Sequence, residues 1–309
     1  MHKYVIKRLL MLIPVIIGIT FILYSLMKLT PGDPVRLILG DGATDDAVAK
    51  LREELGLNVT FFEGYKNYII NALHGDFGQS YRSREPVFNE VFARFPNTCK
   101  LAFSAIAISA IVGILIGIFQ AVHQYSLADN IISGITLVLT SVPEFWFGLM
   151  LIIMFAVKLK VLPASGSSHW YNYILPACTA SLGYTAGTIR LTRSSMLEVI
   201  RSDYIRTAKA KGCDQRTVVY GHALKNALLP VITLIGINLG WQLGGTIIVE
   251  QIFAIPGIGT LMIGAVRTKD IPLLMGSVTF TALLSSLINL LTDILYAYVD
   301  PRIKAEYSK

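Results

Sequence analysis

Leu9-Leu-Met-Leu-Ile-Pro-Val-Ile-Ile-Gly-Ile-Thr-Phe-Ile-Leu-Tyr-Ser-Leu-Met27 is an unbroken run without a single charged side chain. As a helix rising 1.5 Å per residue it reaches about 28 Å, close to the roughly 30 Å of bilayer hydrocarbon. Lys3, Lys7 and Arg8 precede it, as in a signal peptide, but the run is long and no small-residue cleavage site follows, so a retained transmembrane helix is expected. Working outward, apolar blocks recur at Leu101 to about Val122, about Ile131 to Val157, about Ile174 to Leu191, about Ala227 to Val249 and about Leu273 to Val299. The pattern predicts an all-α, polytopic membrane protein with six transmembrane helices.

Composition agrees with that reading. Hydrophobic residues make up 53% of the 309, charged residues only 15%, and the mean hydropathy is +0.58, whereas a soluble domain carries about 25% charge. The net charge of +7 raises the question of nucleic acid; in a membrane chain it instead reflects basic loops on one side, and no nucleic-acid partner is expected. Cys99, Cys178 and Cys213 are far apart and assigned to different sides or depths, so neither a disulfide framework nor a metal site is indicated.

Charge placement sets the orientation. With the N-terminus inside, the inner tails and loops hold 14 of the 27 lysines and arginines, against four in the short outer loops. Both termini are therefore expected in the cytoplasm. Residues 1–29 form the tail and first span, 30–100 an extracytoplasmic segment, and 101–309 a five-helix core with an inner loop at about 194–226. In the outer segment, Asp46 to Leu57 and Phe61 to Leu73 have helical spacing and end near Gly56 and Gly75, predicting a small helical cap.

The inner loop carries the candidate site. Arg201-Ser-Asp-Tyr-Ile-Arg-Thr-Ala-Lys-Ala-Lys-Gly212 is basic and partly apolar. Tyr204, Ala208 and Lys211 repeat at helical spacing, Asp203 is a candidate N-cap, Gly212 can end the helix and Asp214 can begin the next. A short surface helix of this kind can dock into a groove on a partner. Its charges taken alone favour an ordinary basic loop at the lipid headgroups.

The ordered block Arg206-Thr-Ala-Lys-Ala-Lys-Gly212 resembles the cytoplasmic coupling motif of binding-protein-dependent ABC importer permeases, in which a Glu-Ala-Ala triplet is followed by three residues and glycine. Arg206, Thr207 and Ala208 occupy the triplet. Arginine in the glutamate position is similar to the dipeptide, oligopeptide and nickel branch of that family. Pro31-Gly-Asp-Pro34, His74-Gly-Asp-Phe-Gly78, Thr192-Arg-Ser-Ser-Met-Leu-Glu-Val199, Glu250-Gln-Ile-Phe-Ala-Ile-Pro-Gly-Ile-Gly259 and Val299-Asp-Pro-Arg-Ile303 extend the likeness along nearly the whole chain.

The resemblance implies a permease subunit in a bacterial or archaeal plasma membrane, with Asp203, Tyr204, Arg206, Thr207, Ala208, Ala210, Gly212, Asp214 and Arg216 facing an ATPase. It further implies a second related permease chain, two ATPase subunits or domains and an extracytoplasmic substrate-binding protein. The chain has no Gly-Lys dipeptide and hence no phosphate loop, so nucleotide handling falls to another polypeptide, and neither a cofactor nor an enzymatic activity is expected here. Di- or oligopeptides are the first choice of substrate and nickel the second.

Within the spans, Glu144 follows Pro143 and Asp293 lies in the sixth block. A carboxylate there costs on the order of 2.5–3.5 kcal/mol on insertion scales and needs a partner or a watery cavity. Glu144 is open to two readings, a pathway residue meeting a cationic substrate group or a hydrogen-bonded carboxyl beside the proline. Glu250, Pro256, Gly257 and Gly259 are expected in an outer lip, or in a plain connecting loop. An ion-coupled secondary transporter using Glu144 and Asp293 is the rival class. Gly113 and Gly117, like Gly236, Gly240 and Gly244, lie four residues apart on one helix face and invite close packing, within the chain or against the second permease.

Overall fold

The computed structural model describes residues 2–40 and 42–299, and its regular elements are all helices. In chain order they are α1 (His2–Leu29), α2 (Pro34–Leu39), α3 (Asp45–Glu54), α4 (Phe61–Leu73), α5 (Val87–Val122), α6 (Leu127–Ser141), α7 (Glu144–Leu151), α8 (Ile174–Ile200), α9 (Asp203–Ala210), α10 (Leu224–Gly245), α11 (Ile247–Ile252), α12 (Ile258–Thr268) and α13 (Ile271–Val299). π-Helical turns at Ile152–Lys158 and Thr217–Ala223 extend α7 and lead into α10. Asp300 to Ile303, the end of the last sequence block, lies outside the described residues, as does the C-terminal tail.

Four continuous helical stretches are long and apolar enough to cross a membrane: Leu10–Leu29, Val87–Val122, Thr217–Gly245 and Ile271–Ile294. The third sequence block is not one straight helix. It breaks at Val142 and Pro143 into α6 and α7, and the arms Leu127–Ser141 and Glu144–Lys158 meet at 103°. Proline lacks an N–H and keeps the preceding residue out of the α region, and Val142 is indeed extended, at φ −77° and ψ 125°.

The fourth block is α8, whose 27 residues reach about 40 Å. It is less apolar than the others because protein, not lipid, surrounds it. α6, α7 and α10 pack along it, and Thr179, Ser181, Thr188 and Thr192 are buried. Several of these hydroxyls turn back to the helix, Thr179 Oγ1 donating to the Leu175 carbonyl at 2.8 Å and Thr188 Oγ1 to that of Tyr184 at 2.8 Å.

The described residues divide into two compact units, one of residues 99–255 with 287–299, the other of 2–98 with 256–286, so the boundaries fall inside α5, between α11 and α12, and inside α13. In the first unit one core gathers Leu101, Ala105, Tyr173, Leu175, Val249, Phe253 and Ile255. A second gathers Ile118, Ala121, Met196, Ile205, Val218, Val219, Ala223 and Ala227. In the other unit α2 and α3 share Val35, Val48 and Leu51. Thr44 and Thr60 cap α3 and α4, and Gly56 and Gly75 follow those helices in left-handed conformation at φ +63° and +81°. The expected cap helices thus exist, α3 stopping at Glu54 instead of Leu57. In the same unit the buried Lys269 ammonium bonds the carbonyls of Thr30 and Gly32, while the Asp270 carboxylate takes the Ser80 hydroxyl at 2.6 Å.

Four of the five spaced glycines pack within the chain, while Gly244 is exposed. A Cβ on Gly113 would stand 2.6 Å from Thr188 Cβ, and one on Gly117 2.6 Å from Thr192 Cβ, so α5 lies flush on α8. Gly236 and Gly240 likewise meet Thr292 and Asn289 of α13. Gly134 of α6, by contrast, has open space around it. Gly113→Val and Gly117→Val should each destabilise the chain by about 1–3 kcal/mol or more through overpacking. Gly134→Ala should be neutral or up to ~1 kcal/mol stabilising through helix propensity. Thermal unfolding of the purified protein in detergent measures both, and equal midpoints for all three variants would contradict the flush contact.

Candidate functional site

The site begins where α8 ends. Ser202, extended at φ −70° and ψ 154°, occupies the N-cap position, and its hydroxyl turns back to the Val199 carbonyl at 2.6 Å. Asp203, the residue expected to cap, is instead the first helical residue, where a carboxylate still complements the positive end of the helix. Two turns later the chain closes in a Schellman arrangement: Gly212 N–H donates to the Lys209 carbonyl at 3.0 Å and Cys213 N–H to that of Ala208 at 3.3 Å. This requires the left-handed φ of +84° that Gly212 adopts. Asp214 then starts the next turn, its carboxylate accepting the N–H groups of Arg216 and Thr217 at 3.2 Å each. Thr217 holds this carboxyl below the usual aspartate range.

A single side chain of α9, Ile205, is fully buried. It enters the core formed by Met196 of α8, Ile118 and Ala121 of α5, and Val218 and Val219. Ala208 is half-buried, while Asp203, Tyr204, Arg206, Thr207, Ala210, Gly212, Asp214 and Arg216 are exposed. The nine residues singled out in sequence are thus gathered on one short segment whose outward face is polar and basic. Tyr204 is 46% exposed and accepts a hydrogen bond on its hydroxyl from Asn226 Nδ2 at 2.8 Å. Asp203 and Arg206 pair at 3.6 Å in full solvent, which contributes little to stability. Sequence spacing pointed to Tyr204, Ala208 and Lys211 as the periodic set and missed Ile205, the residue that seats the helix.

A second feature escaped the sequence reading. Asp129, on the first turn of α6, is 2% exposed, and its carboxylate accepts Arg193 Nε at 2.8 Å, Arg193 Nη2 at 2.7 Å, Gln120 Nε2 at 3.0 Å and Tyr125 N–H at 3.0 Å. Gln120 Nε2 also lies within 3.1 Å of the Asp129 carbonyl and 3.0 Å of Ser133 Oγ. Three helices, α5, α6 and α8, converge on this one carboxylate. Ser126 caps α6 and bonds Asp129 N–H at 3.2 Å, so Ser126-x-x-Asp129 was a helix-start signal open to sequence reading.

The other candidates stand apart from the coupling segment. Glu144 is half-buried and is the first residue of α7, at the 103° break. Its carboxylate complements that helix N-terminus. Asp293 is half-buried in α13. Glu250 is not displayed on a free lip: it is fully buried in α11 and accepts the Thr246 hydroxyl at 2.9 Å. After it the chain turns through Ala254 at φ +49°, with Ile255 N–H returning to the Glu250 carbonyl at 2.9 Å. In the other unit, the Pro256 carbonyl accepts Asn97 Nδ2 at 3.0 Å, Gly257 is the extended N-cap of α12, and Gly257 and Gly259 are buried. The tight turn is present, but packing draws it inward.

Comparison with known proteins agrees with this architecture. Residues 113–305 match the family described as the binding-protein-dependent transport system inner membrane component, and residues 1–102 match that system's N-terminal membrane component. The glutathione transport system permease protein GsiC of Escherichia coli (strain K12) is 39% identical over 304 residues, covering 98% of this chain and 99% of its own. The protein of the same description from Salmonella choleraesuis (strain SC-B67) is 39% identical over 306 residues, with the same coverage. An inward-facing structure of the MetNI methionine ABC transporter shares the fold at a TM-score of 0.58 and 17% identity, covering 70% of this chain and 99% of that one. The chain therefore belongs to the family of binding-protein-dependent transport system inner membrane components, as a permease subunit of an ABC importer.

Proposed function

We propose that this permease, paired with a second related chain, forms the pathway by which an ATP-driven importer moves small peptides of about glutathione size inward across the plasma membrane. The observation that carries the reading is the α9 segment. One apolar side chain, Ile205, anchors it, and its remaining face is presented to solvent. The relatives named above are glutathione permeases, which favours a peptide over nickel. Membership of a binding-protein-dependent family argues for an extracytoplasmic binding protein and separate ATPases, and against ion-coupled transport. The concentration of lysine and arginine around α9 supports its placement in the cytoplasm, with both termini.

ATP can shift the transporter only by binding one arrangement of the ATPases more tightly than the other, so that arrangement must move something on the permease. α9 is suited to be moved. Its outward side offers Tyr204 and Ala210 as apolar contacts within a rim of Arg206, Lys209, Lys211 and Arg216, the pattern of a helix laid in a groove. Glu144, at the break between α6 and α7, is the candidate to meet the amino group of a peptide.

Gly212 tests the coupling role. Valine at φ +84° is strained by roughly 1–2 kcal/mol, whereas asparagine tolerates this region. A Cβ would meet open space, so the strain is confined to the turn. Gly212→Val should cut ATP-driven uptake of labelled glutathione in proteoliposomes holding the full complex, with Gly212→Asn retaining most of it; undiminished uptake by the valine variant would refute the coupling role. Competition in the same assay identifies the cargo. Di- and tripeptides should compete with glutathione, and competition by nickel alone would overturn the peptide reading. Glu144→Gln should lower uptake at limiting substrate roughly tenfold, equivalent to about 1.4 kcal/mol. It should do so only for substrates with a free amino group, and an equal effect on N-acetylated peptides would count against the pathway role.

A further inference from the structure

We propose that Asp129 and Arg193 are positioning residues that carry movement of the coupling segment into the bent span, an inference that rests on the coupling role given to α9 above. Arg193 and Met196 lie about one turn apart near the end of α8. Met196 holds Ile205 of α9, and Arg193 grips Asp129 of α6. Whatever displaces α9 displaces the end of α8 through Ile205, and the end of α8 holds the start of α6.

The chemistry of the grip suits transmission better than stabilisation. A buried ion pair is poor evidence of stability, since apolar side chains of similar volume do as well. Directed donors add registry. Two nitrogens of Arg193, the amide of Gln120 and the Tyr125 N–H converge on one carboxylate, and a slip of α6 by one residue would lose all four. The Gly113 and Gly117 contacts between α5 and α8 hold less tightly, being close packing of small residues with one hydroxyl pair, Ser109 and Thr188 at 3.2 Å, beside them.

From this fixed point α6 runs on for 12 residues to its end at Ser141, just before the break at Pro143 and Glu144. That is a lever of about 18 Å, on which a tilt of about 10° at the base moves the tip by about 3 Å. The tip is the 103° corner where Pro143 leaves the backbone unsupported by a continuous helical ladder. Asp129 and Arg193 thus join the surface moved by the ATPases to the one acidic residue at that corner.

The test is the number of substrate molecules moved per ATP hydrolysed by the whole complex in proteoliposomes. Asp129→Asn, and Arg193→Lys, which keeps the cation but not the two-pronged contact, should each lower this ratio roughly fivefold or more while ATP hydrolysis continues. A purely structural role would reduce uptake and hydrolysis in proportion and leave the ratio unchanged, which overturns the proposal. Should Asp129→Asn fail to assemble, Arg193→Lys decides alone. Gly212→Val in parallel separates the two readings. If it lowers the ratio and the ion-pair variants do not, only the link falls; if it too leaves the ratio unchanged, the coupling role of α9 falls and the link with it.

Discussion

Hydrocarbon offers no partner to a peptide N–H or carbonyl, so each crossing segment of this chain must satisfy its backbone internally. That constraint makes the molecule helical and also explains its least regular helix. α8 carries threonines, serines and Arg193 because α6, α7 and α10 pack along it and several of its hydroxyls, those of Thr179, Thr185 and Thr188 among them, bond back to its own carbonyls. A polar helix inside a sheath of apolar ones gives the bundle a member that can carry charge to its end, and Arg193 is where it does so.

The α9 segment shows how little hydrophobic burial is needed to seat a helix of eight residues. Ile205 provides the apolar anchor, the Gly212 turn closes the carbonyl end, and Asp214 reopens the chain toward α10. An isolated helix this short is unstable in water, so tertiary packing must hold it. Because the apolar hold is one side chain deep, helped by half-buried Ala208 and the Tyr204–Asn226 hydrogen bond, most of the rest of α9 is exposed. The same economy makes α9 dependent on the ends of α5 and α8, which form the socket of Ile205.

Much of this was legible in the sequence, for physical reasons. Apolar runs locate helices in a bilayer because charge there is costly, and glycine at Gly56, Gly75 and Gly212 marks left-handed turns because other residues are strained there. The block from Arg206 to Gly212 was readable as a family motif, and the family is the one the chain belongs to. What sequence could not provide was direction. Tyr204, Ala208 and Lys211 were read as the set at helical spacing, yet Tyr204 lies outside while Ile205 lies inside, since an eight-residue helix has too few turns to define a face. The 103° break was not read from Pro143, because proline is tolerated in membrane helices and α1 passes through Pro14 without ending. The Asp129 network joins residues up to 73 positions apart, Gln120 to Arg193, and no spacing rule connects them.

α5 is 36 residues long, about 54 Å, and only part of it can sit in lipid. Between Lys100 and His123, both exposed, lies an uncharged window of about 33 Å, slightly more than typical hydrocarbon thickness. In a thinner membrane such a window must lean to stay covered. Gly113 and Gly117 leave no gap between α5 and α8, so the two would lean together, and Arg193 with them. The lipid composition of the host membrane thereby acts on the contact between Asp129 and Arg193, and bilayer thickness becomes a mechanical input to the angle at which α5 and α8 rest.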